Sequence, residues 1–106
     1  WNHGFEANKV AWKNLSSGNG GLTAVELGVR VSEDDPNETS VGLGGLPDRT
    51  GKVTLDACIM DKNNDCGSVS FLQNIKNPIS VARMVMEKTP HIMLSGKGAY
   101  DFAIEQ

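Results

Sequence analysis

Apolar residues near the start of the chain keep a helical spacing. Ala7, Val10, Ala11 and Leu15 stand at i, i+3, i+4 and i+8, one stripe of a helix that the cluster SSGNGG, residues 16–21, then stops. In LTAVELGVRV, residues 22–31, apolar positions cover most of the circumference and predict a second, deeply buried helix. Thr23 and Glu26 have the spacing of a capping box, where hydroxyl and carboxylate each satisfy an exposed amide at a helix start. Asp34-Asp35-Pro36 ends this helix, because proline disfavours the helical conformation in the residue before it. The run Glu33-Asp34-Asp35 reads as a solvated loop edge.

The period then changes to two. In KVTLDACIMD, residues 52–61, Val53, Leu55, Ala57 and Ile59 share one face, and Thr54, Asp56, Cys58 and Met60 the other. CGSVSFL follows across the polar turn DKNND, which predicts a hairpin. Asn77 is an N-cap candidate before Pro78 at the first helical position, and Pro78, Val81, Ala82, Val85 and Met86 repeat with helical spacing. HIMLSG, residues 91–96, reads as a short strand, and GAYDFAIEQ starts a helix presenting Ala99, Phe102 and Ala103 on one side. Helices first, strands in the middle and helices again favour an α+β fold over strictly alternating βαβ units. No repeat, low-complexity tract or linker divides residues 1–106, which predicts a single unit; its opening at Trp1 and its stop inside a helical pattern predict one incomplete at both ends, half of something larger.

Composition narrows the function classes. The 106 residues are 39% hydrophobic, enough for a core. A net charge of −3 and a pI near 5.2 leave no electrostatic footprint for nucleic acid. No apolar run approaches the ~20 residues needed to span a bilayer, so no membrane partner is expected. Two cysteines, Cys58 and Cys66, and two histidines make neither a disulfide scaffold nor a credible zinc set, and the thiols read as buried or free. Asn14-Leu15-Ser16 and Asn37-Glu38-Thr39 are glycosylation triplets of a kind that arises often by chance.

Conventional catalytic motifs are absent. SVGLGGLPD, residues 40–48, lacks the third glycine of a dinucleotide fingerprint and precedes a strand rather than a helix. Gly51-Lys52 and Gly96-Lys97 are not followed by the Ser or Thr of a P-loop, so no cofactor is expected. No G-x-S-x-G elbow accompanies His3 or His91, and His91, beside Pro90 at the start of an apolar strand, reads as a hydrogen-bonded structural residue. Cys58 alternates with core positions and reads as a structural thiol. Asp56 interrupts an otherwise apolar strand face; it needs partners if buried, or bonds neighbouring backbone or faces solvent at a sheet margin.

Taken together, WN at the start, AW, SGNGGLTAVELG, SVGLGGLPDRTGKVTLDACIMD, GSV and IKNPISVARMVMEKTPHIMLSGKGA resemble the α-subunit of the glycosylasparaginase family, within the N-terminal-nucleophile hydrolases, over nearly the whole chain. The resemblance implies part of a four-layer αββα sandwich, the α-subunit half only. It also implies a precursor that cleaves itself before a threonine, whose freed amino group serves as base for its own hydroxyl. That threonine would begin a β-subunit after a His-Asp-Thr-Gly-like segment, which this chain lacks. The expected partners are therefore that β-subunit, an (αβ)2 assembly and a glycosylated asparagine substrate.

Carried over by resemblance, Trp1 matches a substrate-contacting tryptophan and Ser40 a serine that hydrogen-bonds in the active site as a supporting catalytic group. The alternatives are an N-terminal core aromatic for Trp1 and a strand-initiating hydroxyl for Ser40. His3 stands where family members commonly carry Phe and is a third substrate-binding candidate. The glycines of residues 42–45 would let backbone approach a ligand or a neighbouring strand, or form a bulge before the PDRTGK turn. Two rival readings keep the scaffold: a plant-type asparaginase or isoaspartyl peptidase, and a non-catalytic binding module. Family members occur in lysosomes and in bacterial periplasm, which leaves the compartment open.

Overall fold

A computed structural model describes residues 4–106. The apolar stripe of the N-terminal segment forms α1, Gly4–Ser16, and the next helix, α2, runs over Gly21–Asp34. A short 3-10 turn at Gly42–Gly44 precedes the hairpin of β1, Leu55–Met60, and β2, Cys66–Leu72. Then come α3, Pro78–Lys88, β3, Met93–Ser95, and α4, Gly96–Glu105. The sheet has the order β1-β2-β3, antiparallel across the hairpin and parallel between β2 and β3, so α3 is the crossover of one βαβ unit within an α+β arrangement.

Register sorts the strand residues onto two faces. Ala57, Val69 and Leu94 stand opposite one another and face the core, where Ile59 and Val69 join Leu72 and the Ile79, Val81, Ala82 and Val85 side chains of α3. Ala99 completes this cluster from α4, with Phe102 and Ala103 packed against it, as the spacing predicts. The opposite face carries Cys58, Ser68 and Met93 in one row. On it Met60 is 58% and Met93 56% exposed, while Ser68 between the outer strands is buried. The molecule is a slab of 42 × 35 × 20 Å, with one sheet face closed and one largely open.

The other helices pack outward from α3. Glu26 and Arg83 join α2 to α3 at 2.8 Å, with Thr23 accepting a second hydrogen bond from the same guanidinium and Ser80 donating to Glu26 at 2.6 Å. Thr23 and Glu26 therefore do not form a capping box: Gly20 is the N-cap, both residues lie inside the helix, and their polar atoms bond across to α3. Helix α2 is also less buried than its composition predicts. Ala24 and Gly28 are enclosed, whereas Val25 and Val29 remain exposed beside α1, which itself buries no residue fully and leaves Trp12 68% exposed.

One strand position departs from ordinary backbone. The register shifts between Leu55 and Ala57, and at this bulge Phe71 takes φ 53°, in the left-handed region that is costly for a bulky side chain. Asp56 supplies what the bulge lacks: its Oδ1 accepts the Phe71 amide hydrogen at 2.9 Å while the residue stays exposed. The ring of Phe71 is 55% exposed and recovers little by packing. Phe71→Gly is expected to raise stability by about 1 kcal/mol, since the left-handed penalty of roughly 1–2 kcal/mol exceeds the entropy that glycine adds to the unfolded chain. Urea denaturation measures this, and a lower midpoint would show that the ring contributes packing.

Candidate functional site

Within the glycine run, Gly42 lies against the end of α2, Gly44 against the main chain of Pro36 and Glu38, and Gly45 against the Val53 and Leu55 side chains. Gly42 has φ 59°, and a Cβ built there would meet the backbone oxygen, Cα and carbonyl carbon of Glu33 at the close of α2. Only a residue without a side chain lets the loop lie this near another backbone. The PDRTGK segment is a tight turn, as expected: Asp48 accepts hydrogen bonds from the Thr50 hydroxyl at 2.6 Å and from the Thr50 and Lys52 amides. The Thr50 hydroxyl is the main cause holding the Asp48 carboxyl below its usual range.

Ser40 stands two residues ahead of Gly42, with Val41 extended between them. It starts no strand. Its hydroxyl donates to Glu38 Oε1, and its amide donates to the same oxygen at 2.9 Å. The side chain is exposed at the rim of a cleft of about 410 Å³ between α1, α2 and this loop, lined largely by Ala7, Ala11, Val25, Val29 and Val41. Such a site sets the polar side chains of Asn8, Ser32 and Ser40 beside an apolar wall.

Beneath the loop lies a charged group that sequence reading places in solvent. Glu33 is only 3% exposed. Its carboxylate accepts the Ile79 amide hydrogen at 2.9 Å and one Asn77 amide hydrogen at 3.2 Å, so the first of the three acidic residues is buried and only Asp34 and Asp35 face solvent. The reason is phase: Glu26 and Glu33 are seven residues apart, two helical turns, on the side of α2 that meets α3. Asn77 occupies the N-cap position as predicted but makes no side-chain cap, donating instead to Glu33 and, at 2.8 Å, to Asp34.

Burial pushes the Glu33 carboxyl above its ordinary 4.5, opposed in part by the Ile79 and Asn77 hydrogen bonds. A carboxyl raised in the native state contributes stability that is complete below its unfolded value and is lost as pH rises through the native one. Glu33→Gln cannot ionise. The stability advantage of the wild type over this variant is therefore expected to shrink as pH rises from 4.5 toward neutrality, read as the difference in Tm; a constant difference would contradict it.

Of the three residues carried over by resemblance, Ser40 lies on this loop, whereas Trp1 and His3 fall outside the described residues. Two other positions differ from the sequence reading in their surroundings. His91 is exposed two residues before β3 and is tied to Thr89 through its main chain, so it is not the strand-anchored structural histidine the sequence predicts. Cys58 is a free, exposed thiol on the sheet face opposite Ala57 and Ile59, as the alternation places it, rather than a buried structural thiol, and Cys66 is free and half-buried. Among the described residues no three His, Cys, Asp or Glu are placed to hold a metal ion, and no helix is long and apolar enough to cross a membrane.

The profile of the asparaginase family matches residues 5–106, and the chain belongs to that family. Its relatives carry two kinds of name. The chain is 65% identical, over all of its 106 residues and 31% of the relative's length, to an N4-(β-N-acetylglucosaminyl)-L-asparaginase of Elizabethkingia miricola. It is 48% identical to the mouse protein of that name over 98 residues, covering 92% of this chain and 28% of the mouse protein. A plant-type L-asparaginase of Pyrococcus furiosus is 48% identical over 99 residues, 92% of this chain and 32% of that protein. The chain thus spans about a third of the length of the curated relatives it matches.

Proposed function

We propose that this chain is the α part of an amidohydrolase that splits the bond between the asparagine side-chain nitrogen and N-acetylglucosamine. The observation that carries this reading is the 65% identity sustained along all 106 residues with the Elizabethkingia miricola enzyme of that name. In the proposed reaction the leading threonine of a β-subunit, deprotonated by its own amino group, attacks the side-chain carbonyl carbon. The carbon–nitrogen bond breaks, the glycosylamine leaves with the proton, and water then releases aspartate from the β-aspartyl ester. Donors on the β-subunit stabilise the oxyanion and a basic residue there holds the α-carboxylate. Trp1, Ser40 and His3 line the pocket from this side.

The assembly belongs to the same proposal. A second sheet laid on the face that carries Met60, Cys58 and Met93 completes the four-layer αββα sandwich, since sheets stack about 10 Å apart and both present apolar side chains to the seam. Two αβ units associate, and exposed Trp12, Leu15 and Val25 are candidates for covered surface in the whole protein. Self-cleavage before the threonine produces the two subunits.

The plant-type asparaginase reading is kept by one observation: the Pyrococcus furiosus protein is as similar, at 48%, as the mouse glycosylasparaginase. Full-length protein offered N4-(β-N-acetylglucosaminyl)-L-asparagine, a β-aspartyl dipeptide and L-asparagine separates the two. The expected result is a kcat/KM for the glycosylated substrate about tenfold or more above the others, a difference of ~1.4 kcal/mol in transition-state binding. Preference for the dipeptide supports the second reading, and no turnover of any of them supports a binding module. Ser40→Ala is expected to lower kcat/KM by about ten- to a hundredfold, less than the roughly hundred- to thousandfold cost of removing an oxyanion-hole donor, because Ser40 plays a supporting part.

A further inference from the structure

Glu33 joins three parts of the fold at one residue. Its side chain leaves the last turn of α2 and caps a different helix, because Pro78 brings no amide hydrogen to the start of α3 and Asn77 makes no cap of its own. A carboxylate is well matched to the positive end of that helix, and without it the buried Ile79 amide has no acceptor. The main chain of the same residue is the surface on which Gly42 rests. From Gly42 back to Ser40 the chain has a single extended residue between them, so the seat of Gly42 sets the position of Ser40 to within about 7 Å of chain length.

We propose that Glu33 is a positioning residue for the Ser40 loop: its carboxylate locks the end of α2 to the start of α3, and its backbone then offers Gly42 a fixed seat. The geometry separates this role from simple helix capping, since Gly42 lies against the main chain of Glu33 itself. The consequence for turnover rests on the reading of Ser40 given above; the consequence for loop order does not.

Hydrogen exchange on the full-length protein at neutral pH, with Glu33→Gln and with the triple variant Glu33→Gln/Asn77→Asp/Asp34→Asn, tests it. Both Glu33 oxygens accept, so the single variant turns an N–H donor toward another donor, whereas in the triple variant the new amides at positions 33 and 34 both donate to the new carboxylate at 77, which would otherwise face Asp34. In the single variant, amides in residues 40–45 and 79–81 are expected to exchange about tenfold faster while 93–105 stay unchanged, and the triple variant restores protection. Should the single variant fail to fold, Asn77→Ala removes one of the two bonds and is expected to act in the same direction by about threefold. Unchanged exchange at 40–45 with faster exchange at 79–81 leaves Glu33 a cap and overturns the proposal. So does an equal rise everywhere.

Turnover supplies the second arm. Glu33→Gln is expected to lower kcat/KM about tenfold, and to add less than about twofold when Ser40→Ala is already present, because both changes act through one group. Full additivity would show that Glu33 acts elsewhere and would overturn the proposal. If the wild type turns over none of the substrates, the functional reading fails and the exchange result alone decides the role of Glu33.

Discussion

Gly67→Ala is expected to destabilise the protein by about 3 kcal/mol or more, at the upper end of the cost of overpacking. Gly67 lies on the core face of β2 opposite Ile59, where α3 crosses closest to the sheet. A Cβ there would stand 2.1 Å from the Ala82 oxygen and 2.6 Å from the Met86 nitrogen, and 2.8 Å from the Met86 Cβ. Two of these three obstacles are main-chain atoms of a helix, which no rotamer change can move, so the strand and helix must separate and open the cluster around Val69 and Val85. Urea denaturation of full-length protein measures the loss. Gly98→Ala is the matched control: it lies within α4 with nothing near its missing Cβ, and is expected to gain about 0.5–1 kcal/mol from helix propensity. Equal midpoints for the two variants would mean that α3 does not lie this close to β2.

Gly42→Ala should hurt twice. A Cβ would lie 2.2 Å from the Glu33 oxygen and 2.3 Å from its Cα, and φ 59° is itself costly for a side-chain-bearing residue, so a stability loss of about 2–3 kcal/mol is expected. The loop has a cheaper escape than the core does. It can lift away from α2, carrying Ser40 with it. At a temperature where the variant is fully folded, kcat/KM is expected to fall at least about tenfold, while Leu43→Ala, at an exposed neighbouring position, leaves it within about twofold. Normal turnover in a folded Gly42→Ala protein would detach the loop from the proposed site.

The elements themselves were legible because their periods are local. Pro78, Val81, Ala82 and Val85 of the α3 stripe are buried, and Ala57 and Ile59 of β1 and the Ala99–Phe102–Ala103 side of α4 reach the core, whereas Leu55 and Met86, which the same spacing assigns to it, are only half-buried outside that cluster. Polar residues were legible only where their partners are near in sequence, as in the Asp48–Thr50 turn. Thr23 and Glu26 have a capping-box spacing, yet their partner is Arg83, about sixty residues on. Asp56 bonds Phe71 across a bulge that no pattern in either strand announces.

From the amino-acid order alone came the helix and strand segments, the α+β class, the absence of phosphate-binding and triad motifs, and a family resemblance that the asparaginase profile bears out over residues 5–106. Only tertiary structure decided that α2 meets α3 through carboxylates, that Glu33 is enclosed, and that Gly42 rests on a helix end. The physical reason is range. Hydrophobic periodicity is written within a dozen residues, whereas burying a charge or seating a bare backbone depends on which distant group arrives to complete it.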